Sequence, residues 1–411
     1  MVDEVFEDIE KSLEGLENSD ILNSFENLVE AGFSDLKGFV GEESVLFVVN
    51  DRNRNTPTSI ILKLILDYFD RNNISLTERK VGLIVATGSH DPPTEEEIHE
   101  ILGSVYDDLR PVLMVHQSGE SDHFFVGSTS FGTRIEVDKQ ILGYDKIICI
   151  NSIEPHYFAG FTGGRKSLVP GVISWKTIED NHENALKEEA RALSLSDNPV
   201  HLDMVEATKK IIAEVDSDFI GINMVTDGDK IYDIKLGDIF ESFNKLVEKS
   251  REVFTVSLKD KRDIVIARVG EPFNRNLYQS LKGFENGKLI CRDGGIVILV
   301  SECYEGIGPS EFFDRLSNSK DPEKIINEIS ENYVLGSHKA FNILKFLENH
   351  ELFLVSDLED ELVEKCFINS FNSVKEALNI AKNEFKTKPS VIELKDSINQ
   401  VPSLKQNTAK S

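Results

Sequence analysis

Short apolar runs alternate with amphipathic segments along most of the chain. Runs typical of buried strands lie at residues 44–50, 81–86, 111–116 and 146–150. Thr56 and Pro57 signal the start of a helix over about 59–69, and TEEE at 94–97 is a capping box that opens a helix to about 102. Strands that alternate with helices in this way predict a doubly wound, mainly parallel sheet.

The strand–helix alternation is followed by a hairpin and starts again after a polar segment. Strands at 219–225 and 230–235 flank an Asp-Gly turn and predict a hairpin. One helix is predicted to begin at about residue 198, before the hairpin, and another is predicted to follow the hairpin and end at about residue 251. After the polar segment 257–263, strands at 264–269, 295–300 and 352–355 alternate with helices, the first over 277–284. We therefore expect two α/β domains, 1–262 and 263–390, and a tail, 391–411, that packs back on the first domain. Residues 1–40 have an amphipathic helical pattern.

Composition narrows the class of protein. With 411 residues, 40% hydrophobic and 28% charged, the chain is typical of a soluble globular protein of two domains. A formal charge of -27 disfavours nucleic acid and anionic membranes as partners. The acidic N-terminus does not resemble a signal peptide, no apolar run reaches the roughly 20 residues of a membrane span, and the cysteines form no C-x-x-C pair. We expect a cytoplasmic location.

Residues 151–171 follow the strand at 146–150 and have neither a helical nor a strand period. Within them, GFTGGRKS at 160–167 approaches a phosphate-binding P-loop, but Arg165 stands where that motif needs its second glycine. This spacing disfavours a nucleoside triphosphatase. Backbone N–H groups around Gly163 and Gly164, together with Arg165, could still hold one phosphate. Lys166 could be a charge clamp or a nucleophilic amine that carries a covalent group.

Three histidines lie in or beside loops that follow strands: His90, His156 and His182. Two imidazoles on opposite sides of one carbon or hydroxyl suit proton transfer on either face, and a neutral imidazole also binds zinc or nickel. For His116 and His123 a packing role is favoured without being decided. The remaining histidines have no such context and are expected to be surface or packing residues: His99, His201, His338 and His350.

Charged side chains lie at two further places. Asp51, Arg52 and Arg54 follow the first strand, where a guanidinium can bind a carboxylate or phosphate through two hydrogen bonds. In the second domain, Gln279 and Lys282 lie one helical turn apart, which fits either a lid over a ligand or a solvated helix face.

Together these residues resemble the nickel-dependent lactate racemase family. The resemblance rests on EPHYFAGFTGGRKSLVPG at 154–171 with Asn181-His182, and on ATGSH at 86–90 and GSTSFGT at 127–133. It extends to DRNR at 51–54, QSLK at 279–282 and ECYEGIG at 302–308, so that it spans about residues 44–340. The family fold is two α/β domains with the active site in the cleft between them.

The resemblance implies a cofactor and a metal. Family members carry a nickel-pincer nucleotide (pyridinium-3-thioamide-5-thiocarboxylic acid mononucleotide), attached as a thioamide to the lysine that Lys166 matches. His182 matches the protein ligand of the nickel. The positions of Asp51, Arg52, Gly163, Gly164 and Arg165 are expected to contact the cofactor, and enzymes that assemble the cofactor are implied partners.

The resemblance also implies a reaction, the racemisation or epimerisation of a small anionic 2-hydroxy acid. His90 and His156 match the two acid/base histidines, and the substrate's Cα hydride passes reversibly to the pyridinium ring, which avoids a carbanion beside a carboxylate. Arg54, Gln279 and Lys282 match positions around the substrate.

Some positions depart from the family pattern. Asn55 replaces the proline usual after the arginine pair, the helical stretch 1–40 replaces an early strand, and Trp175 is the chain's one tryptophan, whereas lactate-specific members carry one in the second domain. Malate or a larger 2-hydroxy acid is therefore as good a candidate substrate as lactate. The alternative function is a sensor or binding protein that holds an anion or the cofactor without turnover. An NAD-dependent dehydrogenase ranks last, because no Gly-x-Gly-x-x-Gly turn follows the first strand.

Overall fold

A computed structural model describes residues 44–71, 80–228 and 230–404. The helices predicted for 1–40 lie outside these residues. Tertiary contacts divide the chain into two compact units, of which the first ends at Val253 and the second begins at Phe254. Within the described part of the chain, no helix is both long enough and apolar enough to cross a membrane.

The first unit is built on a six-stranded sheet. Its strands, numbered with the hairpins described below, are β1 (Val45–Asn50), β2 (Val81–Ala86), β3 (Leu113–Val115), β6 (Lys146–Ser152), β9 (Asp218–Asp227) and β10 (Lys230–Asp238). They lie in the order β10-β9-β6-β1-β2-β3, and every neighbouring pair is parallel except the hairpin β9–β10. The predicted parallel sheet and the predicted hairpin are confirmed.

Helices cover this sheet because their apolar stripes need a partner. They are α1 (Thr58–Arg71), α2 (Glu95–Leu102), α3 (Tyr106–Leu109), α4 (Trp175–Glu183), α5 (Pro199–Glu214) and α6 (Ile239–Phe254). The capping box is present: the Thr94 hydroxyl accepts the Glu97 N–H, and the Glu97 carboxylate accepts the Thr94 N–H. One core cluster joins Phe47 and Val49 of β1 to Leu62 of α1.

Two small antiparallel hairpins interrupt the α/β alternation. They are β4 (His123–Ser128) with β5 (Arg134–Asp138), and β7 (Pro155–His156) with β8 (Gly160–Phe161). Neither was predicted. Val137 of β5 also bridges to Ile173, so the larger hairpin is tied to the chain that follows the glycine-rich loop.

The second unit has a parallel sheet of its own. Its strands are β12 (Arg262–Arg268), β13 (Cys291–Val300), β14 (Glu351–Val355), β15 (Asn369–Phe371) and β16 (Val391–Leu394), in the order β15-β14-β13-β12-β16. A separate parallel pair joins β11 (Thr255–Leu258) to β17 (Val401–Leu404). The helices are α7 (Leu277–Lys288), α8 (Ser310–Ser317), α9 (Pro322–Glu331), α10 (Ser337–Leu347), α11 (Asp360–Glu364) and α12 (Val374–Asn383). The expectation of two α/β units is confirmed.

Three details differ from the sequence-based expectations. The division between the units precedes Phe254, not residue 263, because β11 pairs with β17 of the second unit. The tail residues 391–394 extend the second sheet beside β12, whereas we expected the tail to pack on the first domain. The predicted strand at 111–116 shortens to β3, since a 3₁₀ turn occupies Arg110–Val112 and Pro111 has no N–H to donate.

Candidate functional site

The parallel sheet of the first unit brings the polar loops together at one edge. β1 lies between β2 and β6, and all run in the same direction. Their carboxyl ends are therefore adjacent, and the loops that carry Asp51, His90 and His156 leave the sheet at this edge. The sequence pattern indicates that each of these loops follows a strand, and the parallel sheet brings the loops to one edge.

His90 is paired with Asp51. Its Nδ1 lies 2.5 Å from Asp51 Oδ2, the carboxylate is buried, and the imidazole is 42% exposed. Because a carboxylate only accepts, Nδ1 carries the proton of a neutral His90, and Nε2 keeps its lone pair. The Asn53 side-chain amide donates to Asp51 Oδ2 over 2.9 Å and fixes the carboxylate. The pair has the arrangement of a general base with an orienting carboxylate.

The electrostatics of Asp51 match this arrangement. Burial by itself would raise its pKa. The hydrogen bond and charge of His90, the Asn53 hydrogen bond and the charge of Arg54 outweigh burial and hold the pKa of Asp51 below its ordinary value. The carboxylate is therefore ionised at neutral pH, as an acceptor for the His90 proton must be.

The two arginines of this loop differ in their surroundings. Arg52 is half exposed, and its guanidinium lies 3.0 Å from the capping-box residue Glu97. Arg54 is partly buried and acts electrostatically on both Asp51 and Glu154. Arg54 thus places a positive charge near two carboxylates, and both its predicted substrate contact and the predicted cofactor contact of Arg52 stay predictions.

His156 is held differently from His90. It is the last residue of β7, and its Nδ1 accepts the Ala159 N–H over 3.2 Å. The ring stacks on Tyr157 and meets the edge of Phe158. An Nδ1 that accepts a hydrogen bond places the proton of a neutral imidazole on Nε2, so this ring has the opposite tautomer to His90.

Glu154 is a residue that the sequence reasoning missed. Burial raises the pKa of its carboxyl group, against the lowering effect of Arg54. Its Oε1 is buried and has no hydrogen-bond partner among the described residues. A buried acceptor without a partner two residues before His156 suits a ligand that donates a hydrogen bond. The residue begins the motif at 154–171, but no local pattern distinguishes its carboxylate from a surface one.

The glycine-rich loop adopts a backbone that only glycine accommodates at its centre. Gly163 and Gly164 have φ of 80° and 52°. A Cβ at Gly164 would lie 2.8 Å from the Phe243 side chain, and one at Gly163 would lie 2.7 Å from Ile153. The loop then turns through a 3₁₀ helix, Gly164–Ser167, which carries Lys166. The tight packing sets the position of this lysine.

Arg165 points into the protein. It is 1% exposed, and its guanidinium donates to the carbonyls of Ala159, Phe161 and Gly163. Burial lowers its pKa to about 9, which leaves the side chain charged at neutral pH. The geometry makes Arg165 a brace for the loop, and its predicted contact with a phosphate stays a prediction.

Lys166 and His182 are both buried in the loop region. Lys166 is 9% exposed and His182, on α4, is 7% exposed. The Asn181 side chain lies 3.2 Å from His182 Nδ1, and the Phe158 ring packs edge-on against the imidazole. Burial, followed by the charge of Lys166, lowers the pKa of His182 to about 3. A neutral imidazole beside a buried amine can ligate a metal and adjoin a group attached to that amine.

In the second unit, α7 carries the remaining predicted residues. The Asn276 side chain caps this helix by accepting the Gln279 N–H, and the Lys282 ammonium lies 4.1 Å from the centre of the Phe273 ring. A further lysine that the sequence reasoning missed, Lys339 of α10, is 4% exposed. Burial and the charge of Lys282 lower its pKa well below the ordinary value. Burial therefore disfavours the charged form of Lys339, and Lys282 is the cationic group of this helix that an anion could contact.

Family models match both parts of the chain. The lactate racemase N-terminal domain matches residues 7–194, and the lactate racemase C-terminal domain matches residues 258–401. The chain is 32% identical over 373 residues to a lactate racemase of Thermoanaerobacterium thermosaccharolyticum, which covers 88% of this chain and 83% of the relative. It is 28% identical over 349 residues to a lactate racemase of Lactiplantibacillus plantarum, covering 83% and 80%.

Solved structures agree with these matches. The lactate racemase apoprotein of Thermoanaerobacterium thermosaccharolyticum superposes with a TM-score of 0.82 at 29% identity, over 92% of this chain and 93% of that one. A Thermotoga maritima protein superposes with a TM-score of 0.69 at 17% identity, over 92% and 98%, and supports the fold alone.

Proposed function

The chain belongs to the lactate racemase family, and we propose that it interconverts the enantiomers of a small 2-hydroxy acid, lactate or a related acid such as malate. Support comes from curated relatives that are named lactate racemases and match most of the chain. The residues described above supply the rest of the argument.

The observation that carries the proposal is the opposite use of the ring nitrogens in His90 and His156. Asp51 holds the His90 proton on Nδ1, so His90 Nε2 can take a proton from a substrate hydroxyl. The Ala159 N–H occupies His156 Nδ1, so His156 Nε2 carries a proton that it can give. One base and one acid at the same pH are what a racemase needs, because inversion removes a proton on one side of the substrate and returns it on the other.

The residues fit a lysine-tethered nickel-pincer nucleotide. Lys166 provides a buried amine for the thioamide bond, and His182 provides a buried neutral imidazole for nickel. Acylation of Lys166 also removes the positive charge that His182 faces. When bound, this cofactor would accept the Cα hydrogen as a hydride. Neither histidine could remove that hydrogen as a proton without a high barrier, because a carbanion would form beside the carboxylate.

Substrate binding is assigned to cationic groups. Arg54 is proposed to bind the substrate carboxylate through its guanidinium fork, and Gln279 and Lys282 are proposed as the substrate-binding residues that the resemblance implies. Substrates with a second carboxylate remain in the proposal, because Lys282 is a cationic group in addition to Arg54.

The test begins with loading. Protein produced together with cofactor-assembly enzymes is digested, and the peptide that contains Lys166 is weighed, while nickel is measured in the intact protein. We expect added mass on this peptide and about one nickel per chain, both absent in Lys166→Ala. The loaded protein is then screened against enantiopure 2-hydroxy acids for loss of optical rotation.

Each outcome has a clear meaning. Loss of rotation with at least one acid supports the racemase. Loading together with ligand-dependent thermal shifts, but with no loss of rotation from any acid, would replace it with a binding or sensor protein. Absence of both nickel and added mass would contradict the cofactor assignment.

A further inference from the structure

A group of metal-ligand type lies outside the residues assigned above. It contains His116, which follows β3, His123, which begins β4, and Asp138, which ends β5. One donor atom from each lies within 4.8 Å of the other two. His116 and Asp138 are completely buried, and His123 is partly exposed. From this arrangement we propose that His116, His123 and Asp138 form a second metal site, which binds a divalent transition ion of the Zn²⁺ class.

Hydrogen bonding determines which His116 nitrogen is available. Its Nε2 lies 3.0 Å from the Ile173 carbonyl oxygen, which can only accept, so Nε2 carries a proton. Its Nδ1 lies 2.7 Å from Asp138 Oδ2. In a neutral imidazole with a proton on Nε2, Nδ1 presents a lone pair to a carboxylate. Two lone pairs at this distance repel unless a cation lies between them.

At 2.7 Å that cation is a proton, and a metal ion could replace it once the two donors move apart. A proton satisfies His116 and Asp138, but it leaves out His123, whose Nε2 is buried and has no hydrogen-bond partner among the described residues. A metal ion satisfies all three donors at once. Two histidines and a carboxylate are a frequent protein ligand set for zinc and for other first-row divalent ions.

The surroundings match those of a metal centre. Histidine ligands commonly donate their second N–H to a backbone carbonyl, as His116 does to Ile173. The other oxygen of Asp138 accepts the Gln140 N–H over 2.9 Å, which orients the carboxylate. Donors around one tetrahedral ion lie roughly 3.4 Å apart, given bonds of about 2.0–2.1 Å. On metal binding, His116 Nδ1 and Asp138 Oδ2 would separate from their present 2.7 Å and the partly exposed His123 would move inward, so its side is the entry path for the ion.

The position suggests what the ion does. It would join the end of β3 and both strands of the β4–β5 hairpin, beside Ile173, just past the glycine-rich loop. The His116 carbonyl also accepts a hydrogen bond from the Thr87 hydroxyl. Gly88, the residue after Thr87, donates its N–H to the Gly171 carbonyl. A metal here would therefore stabilise the two loops that carry His90 and Lys166. It is separate from any nickel at His182.

The test uses full-length protein made without cofactor-assembly enzymes and stripped with a chelator. Co²⁺ is titrated as a spectroscopic probe, and Zn²⁺ binding is measured by calorimetry. We expect one equivalent per chain in the wild type and one in His182→Gln, which removes the proposed nickel ligand. Zn²⁺ at about a hundred times Kd should raise Tm by about 5 °C or more.

The decisive variant is His123→Phe, which keeps an aromatic ring on the strand and removes the donor. It should lose saturable binding and the Tm rise, whereas His99→Phe, at an exposed helical histidine, should keep both. Binding by His123→Phe as tight as that of the wild type, or no binding by the wild type, would overturn the site. If His123→Phe does not fold, the stoichiometry in His182→Gln decides the question: one equivalent supports the site and none refutes it.

Discussion

Among the described residues of the first unit, two histidine–aspartate pairs differ in exposure and in the engagement of the second ring nitrogen. In both, a ring Nδ1 meets a carboxylate oxygen, at 2.5 Å for His90–Asp51 and 2.7 Å for His116–Asp138. The His90 side chain is 42% exposed, whereas both side chains of the second pair are 0% exposed. The second nitrogen of His116 is bound to the Ile173 carbonyl.

The difference shows that a histidine–carboxylate pair does not by itself make an acid or base. A ring whose two nitrogens are both engaged in the interior has no nitrogen with which to exchange a proton with a substrate. The exposed ring of His90 keeps Nε2 on the side away from Asp51. We therefore expect substitutions at the first pair to change activity, and substitutions at the second to change stability.

The largest effect is expected at His90. In cofactor-loaded protein, His90→Gln should lower kcat/KM about 10²- to 10⁴-fold, the usual contribution of a general acid–base group. The value of kcat/KM should fall by the same factor in both directions of the reaction, since the two enantiomers have equal free energies. Chiral chromatography of each reaction measures this loss. His99→Gln is the matched control and should be unaffected; a His90→Gln variant that stays within a few-fold of wild type would remove His90 from the mechanism.

The next effect is on stability at the buried pair. Asp138→Asn should lower the free energy of unfolding of metal-free protein by about 3–5 kcal/mol, because a charged or polarised partner stays buried without its carboxylate. Urea denaturation of wild type and variant measures the change. Asp51→Asn, in the more exposed pair, should lower it by less than half as much. Equal losses would show that burial does not separate the two pairs.

Asp51 is proposed as a positioning residue for His90. In loaded protein, Asp51→Asn should lower kcat about 10- to 100-fold, because an amide can donate to Nδ1 and so favour the wrong tautomer. The pH profile of kcat/KM should also change shape, which a purely structural role would not cause. A fall in activity with an unchanged pH profile and a matching loss of stability would contradict the positioning role.

The smallest effect concerns His201, which pairs with no carboxylate in the described part of the chain. Burial, with the charge of Arg165, lowers its pKa to about 2. The unfolded chain takes up a proton below about pH 6.5 and the folded chain does not, so the stability from this group is complete above about 6.5 and falls towards pH 2. Between pH 7.5 and 5.5, His201 should contribute about 1 kcal/mol of lost stability.

Denaturation of wild type and His201→Phe at both pH values measures this contribution. The phenyl ring keeps the stack that His201 makes on Phe243 and cannot take up a proton. The variant should lose less stability than the wild type on acidification. An identical loss in both proteins would show that His201 is not held neutral.

The sequence predicted the parts of the site that depend on local pattern. Strand ends identified the loops of Asp51, His90 and Lys166, because parallel strands place their carboxyl ends side by side. The TEEE capping box predicted the start of α2, since its hydrogen bonds join residues three apart.

Other parts depend on contacts between distant residues and could not be predicted. His116 and Asp138 meet only because the β4–β5 hairpin folds back between them, and no periodicity relates their positions. The Arg165 side chain is buried because its guanidinium donates to the carbonyls of Ala159, Phe161 and Gly163. The local sequence does not predict these contacts, because a glycine-rich, charged loop is also typical of a protein surface. The place of residues 391–394 beside β12 depends on pairing with a strand more than a hundred residues earlier.

The central claim is tested most directly by incubating cofactor-loaded protein with L-[2-²H]lactate in ordinary water. Chiral separation with mass spectrometry follows the products. The proposal predicts D-lactate that retains deuterium at C2, formed until the enantiomers are equal, and much more slowly by His90→Gln. D-lactate that has lost its deuterium would contradict hydride transfer. No inversion of lactate, malate or a larger 2-hydroxy acid would contradict the racemase itself.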